Sequence, residues 1–72
     1  MTTNEDRAEW ARDAVQDYAD EHGPKGTPED EECATSDLLC NMLHLVRAQG
    51  RDPKTVLDAA FACFTEEEAE EA

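Results

Sequence analysis

The sequence predicts an all-α protein, a small three-helix bundle over about 4–22, 36–49 and 53–66, on three observations. Apolar residues recur at steps of three and four, the period of a helix with one buried face. Glycine and proline stand between such runs and not inside them: Gly23, Pro24, Gly26, Pro28, Gly50 and Pro53. No stretch alternates apolar and polar residues as a half-buried strand does. With 72 residues, one domain spanning 1–72 is expected, and a core that small is marginal without further support.

Asn4 is placed to cap the first helix, with Glu5 and Asp6 at its positive end. Projection at about 100° per residue puts Ala8, Ala11, Ala14, Val15, Tyr18, Ala19 and His22 on one side. Asp6, Glu9, Asp13, Asp17 and Asp20 fall on the other. His22-Gly23-Pro24 reads as the stop. Residues 23–34, with Gly26, Pro28 and the acid run Glu29-Asp30-Glu31-Glu32, have no apolar period and are expected to form an acidic loop.

Thr35 or Ser36 is the expected cap of the second helix, whose Leu38, Leu39, Met42, Leu43, Leu45 and Val46 form an unusually broad stripe. Gly50 closes it, and Asp52-Pro53, a cap followed by proline at the first helical position, opens the third. There Val56, Leu57, Ala60, Phe61 and Phe64 recur as one buried face. The Glu-rich end is expected to prolong this helix and then fray, leaving 67–72 as a disordered tail. The second helix has more apolar surface than two short neighbours cover, so a homodimer or a partner would take the remainder. Leu38, Met42 and Leu45 are the candidate interface.

Nineteen Asp and Glu oppose six Lys and Arg, for a net charge of −13. That excludes direct binding to nucleic acid or to an anionic membrane, both of which require basic residues. The charge is polarised: 4–22 carry −5, 23–34 carry −3, 65–72 carry −5, and 35–64 are neutral. A halophile's solubilising surface would instead acidify every exposed face. On the first helix the acids follow one line at steps of three and four, which places carboxylates roughly 5–6 Å apart. Such a row reads either as a solvated face or as a recognition surface for a groove built to hold phosphates. Trp10, at the border of the row, reads either as an indole folded over the bundle edge or as an aromatic anchor in an acidic rim.

Cys40 and His44, four residues apart on one helix face, are the only candidate metal pair, with His22, Cys33 or Cys63 to complete a site; no second paired motif accompanies them. Three cysteines cannot close a disulfide set, and reduced thiols fit a cytoplasmic protein. No apolar run reaches the roughly 20 residues of a membrane span, and no secretory leader is apparent. No cofactor motif appears: Gly23 and Gly26 lack the Lys-Ser/Thr and the preceding strand of a phosphate-binding loop. The carboxylates sit on open helix faces, so no enzymatic activity is expected.

Thr35-Ser36-Asp37-Leu38-Leu39, Leu43-His44, Gly50, Asp52-Pro53, Val56, Ala60 and Phe64 resemble the small acidic orphan helical proteins of phages and mobile elements, over 35–64. These include inhibitors of the anti-CRISPR and DNA-mimic kind. The resemblance implies a stoichiometric inhibitor of a basic protein or nucleoprotein complex, acting in the host cytoplasm. Such inhibitors share no motif, so it carries over no functional residue. By charge alone, Asp6, Glu9, Trp10, Asp13, Asp17 and Asp20 are the candidate partner-binding residues. The alternative is a homo-oligomeric helical scaffold or accessory protein working through the second helix.

Overall fold

In the computed structural model, which describes residues 2–22 and 28–72, the chain forms three α-helices: α1 (Asn4–His22), α2 (Pro28–Ala48) and α3 (Pro53–Glu71). No strand occurs among the described residues. The all-α three-helix architecture is therefore as the apolar periods predict, and α1 has the predicted bounds 4–22, while the residue that caps α1, the start of α2, the end of α3 and much of the expected core are not.

The start of α1 is set by Thr3, not Asn4. The Asp6 N–H donates to Thr3 Oγ1 and the Thr3 N–H donates to Asp6 Oδ2, both at 3.1 Å. This reciprocal pair is a capping box, with aspartate in the place of the usual glutamate. Asn4 is thereby free to reach α3 and Arg7. Its Nδ2 donates to the Glu67 carbonyl at 3.1 Å, and its Oδ1 accepts from Arg7 Nη1 at 2.6 Å.

The second correction concerns the acidic loop. The helix α2 begins at Pro28, so most of the segment expected to be loop is helical; residues 23–27, with the Gly23-Pro24 stop, lie outside the described residues. The physical reason lies in the sequence itself. Proline suits a first helical position because that N–H has no intrahelical acceptor, and an acid-rich stretch complements the positive helix end. Thr35 is consequently interior, not a cap, and its Oγ1 donates back to the Glu31 carbonyl at 2.9 Å.

The third is the tail. α3 continues to Glu71 instead of dissolving after about residue 66. Glutamates crowded at a helix C-terminus repel one another and the helix dipole, so something must offset them. Arg7 does, through a 3.0 Å ion pair from its Nε to Glu67 with both side chains about two-thirds buried, and the Asn4 N–H adds a bond to the Glu71 carboxylate. The N-terminal turn of α1, with its free N–H groups, thereby meets carboxylates from the far end of the chain.

α2 ends as predicted. Gly50 has φ +77°, its N–H donates to the Arg47 carbonyl at 3.0 Å, and the Arg51 N–H donates to that of Val46 at 3.1 Å. These two bonds are the Schellman pattern, and the left-handed residue it needs is the glycine. A Cβ at Gly50 would meet nothing within 4 Å, so Gly50→Ala would cost only backbone strain. The expected loss is about 1–2 kcal/mol, measurable as a Tm lower by roughly 4–8 °C for each kcal/mol in a domain of this size. Asp52, in extended backbone before Pro53, accepts from Thr55 Oγ1 at 2.7 Å. This hydroxyl bond is the chief cause that holds the Asp52 carboxyl below its usual range.

The expected core is the largest departure. Among the described residues only Val15, Ala34 and Val46 are buried. Leu38, Leu43 and Val56 are half-buried, whereas Leu39, Met42, Leu45, Leu57, Phe61 and Phe64 are exposed. The reason is shape: the molecule is a slab of 35 × 32 × 18 Å, and a flat set of helices flanks its apolar stripes without enclosing them. α1 meets α2 through Arg12 and Glu31, at 3.5 Å, and through Asn41 Nδ2 donating to Tyr18 Oη at 2.7 Å. Those contacts advance in the same sense along both helices, so α1 lies across α2 instead of running back along it.

Candidate functional site

α1 supplies an outward face because its inward side is fixed at few points. Val15 is its one buried residue, and Tyr18 and Ala19 are half-buried beside it. At about 100° per residue the direction opposite Val15 is occupied by Asp6, Glu9, Asp13, Asp17 and Asp20, and all five are exposed. From the first to the last, 14 residues at a 1.5 Å rise span about 21 Å. Asp6 already serves the capping box. Glu9, Asp13, Asp17 and Asp20 make no ion pair among the described residues.

The two bases of α1 do not interrupt this face. Arg7 is turned to Glu67 and Arg12 to Glu31. Each joins α1 to an acidic residue of another helix, Glu67 of α3 and Glu31 of α2. An exposed pair such as Arg12 with Glu31 adds little stability; its consequence is placement of charge.

Trp10 stands on the outward side next to Asp6, Asp13 and Asp17, and is 62% exposed. Of the two readings of this residue, the indole folded over the bundle edge does not describe the structure. Trp10 therefore presents a large aromatic side chain to solvent beside the carboxylate row.

The sequence's other candidates fare differently. Leu38 is half-buried, while Met42 and Leu45 are exposed, Leu45 to 57%. Sequence reasoning missed Leu57, Phe61 and Phe64 as surface residues by assigning them to the core. Their 4-and-3 spacing on α3 is the signal, and it is the same for a buried and an uncovered face. Phe61 and Phe64 stack with ring centroids 5.9 Å apart. Phe64 also lines a cleft with Asn4, Arg7, Ala8, Glu67 and Glu68 at the junction of α1 and α3. Cys40 and His44 are exposed on α2, and Cys33 and Cys63 are exposed free thiols. Among the described residues no three His, Cys, Asp or Glu side chains are grouped to hold a metal ion, so the pair has no third ligand there. No helix among them is long and apolar enough to cross a membrane.

These features define a small three-helix protein with a carboxylate face beside one exposed tryptophan and, on α2 and α3, exposed apolar side chains of which Phe64 adjoins Arg7, Glu67 and Glu68. No family model matches the chain, and comparison with curated proteins and with solved structures gave no match.

Proposed function

We propose that the protein is a non-enzymatic binding protein that presents α1 to the basic, nucleic-acid-binding groove of a partner protein, as a DNA-mimic inhibitor of the anti-CRISPR kind does. The observation that carries this reading is the exposed Trp10 inside the unpaired carboxylate row. A merely solubilising face has no use for a large apolar ring in water, whereas an interface centre does. Spacing supports it as well. The row carries roughly one charge per 5 Å, approaching the one per about 3.4 Å of a nucleic-acid strand. Arg7 and Arg12, turned to Glu67 and Glu31, leave that row free of cations. The partner's setting would be the cytoplasm, where exposed thiols stay reduced.

Charge reversal tests the reading. Glu9→Lys, Asp13→Lys and Asp17→Lys together are expected to abolish capture of the partner from a host lysate, with the helical circular dichroism unchanged. Capture by the unmodified protein should weaken as salt rises and be competed by a DNA duplex. If the reversed variant retrieves the same protein, or if duplex does not compete, the acidic face is only solvated.

A further inference from the structure

The uncovered apolar side chains of α2 and α3 belong to other helices than the carboxylate row and call for their own occupant. A compact 8.0 kDa monomer exposes about 4,450 Å². This chain exposes 5836 Å², roughly 1,400 Å² more than that scaling gives. Its radius of gyration, 13.9 Å, likewise exceeds the about 11 Å of a compact chain of this length. The excess is accompanied by large apolar side chains: Leu39, Met42 and Leu45 on α2, and Leu57 and Phe61 on α3, with Phe61 66% exposed; Phe64, beside Glu67 and Glu68, marks the edge of this set.

From these observations we infer that the α2–α3 face is covered by a second copy of the chain, as a homodimer. Two features select a second copy over another partner. The first is area: the excess, summed over two copies and spread over the whole surface, is about 2,800 Å², enough to contain an interface of the obligate, apolar homodimer class. The second is charge. Residues 35–64 sum to zero, with Asp37, Asp52 and Asp58 against Arg47, Arg51 and Lys54. A two-fold interface brings a patch against itself, which a chain of charge −13 tolerates only where the patch is neutral. A basic partner would gain nothing from this face.

Sedimentation equilibrium under reducing conditions, which prevent Cys33, Cys40 and Cys63 from forging a covalent dimer, is the direct test. The expected mass is twice the 8.0 kDa chain, retained at about 1 M salt, since an apolar interface is not screened. Phe61→Glu and Leu45→Glu are each expected to weaken association by at least about 100-fold. Should either variant also lose helix, the unmodified protein still decides: its Tm is expected to rise with concentration between about 1 and 100 µM. A helical monomer whose Tm is flat over that range overturns the inference, and so does a stable trimer or tetramer. Because the lysine reversal on α1 leaves this face untouched, a dimer that persists in that variant separates failure of the acidic reading from failure of this one.

Discussion

Val46→Asp is expected to unfold the chain. Val46 is one of three buried residues among those described, 8% exposed, and its carbonyl accepts the Arg51 N–H that closes α2. A carboxylate there would have to be desolvated against apolar neighbours or would pull α2 off them. An uncompensated buried charge costs about 3–5 kcal/mol, comparable with the roughly 3–5 kcal/mol that a single core of this size supplies. The helical circular dichroism of the variant at 25 °C should therefore collapse. His44→Asp, two residues earlier and exposed, adds the same charge to the same helix and is expected to retain the signal. Equal helicity in the two variants would mean that Val46 does not anchor the fold.

So few buried residues also explain which parts of the structure could be read from the chain. Elements whose ends depend on local chemistry were readable: Gly50 with its left-handed backbone, and Asp52-Pro53 ahead of α3. Elements held by distant partners were not. The Glu-rich end stays helical because Arg7 and Asn4 hold Glu67 and Glu71, a contact across more than 60 residues that no local pattern announces. The start of α2 at Pro28 was obscured because an acidic segment without apolar period resembles a loop until the proline and the helix dipole are weighed together. Periodicity was right about the helices and wrong about what faces them. Leu57, Phe61 and Phe64 repeat as a buried face does, yet a three-helix slab leaves them in water. The acidic row of α1 could be read in full, since alignment along a helix needs only the 3.6-residue turn. That Arg7 and Arg12 turn away from it could not.

Trp10→Ala is expected to weaken partner capture by about 30- to 1,000-fold, the 2–4 kcal/mol of an aromatic hot spot, and to leave the fold intact. The asymmetry follows from exposure: an indole 62% in water contributes little to packing, and alanine is the better helix former. Trp10 is the only tryptophan, so the protein reports on its own interface. In the free state its fluorescence should be that of a hydrated indole, and saturation with the partner should shift the emission to the blue as water leaves the ring. The same titration separates the two roles proposed for the surface. Self-association through α2 and α3 should not move the emission, because Trp10 lies on the outward side of α1, whereas partner binding should. A partner bound at saturation with the emission unmoved, and with Trp10→Ala binding as tightly, would place the contact elsewhere and leave the tryptophan without a role in recognition.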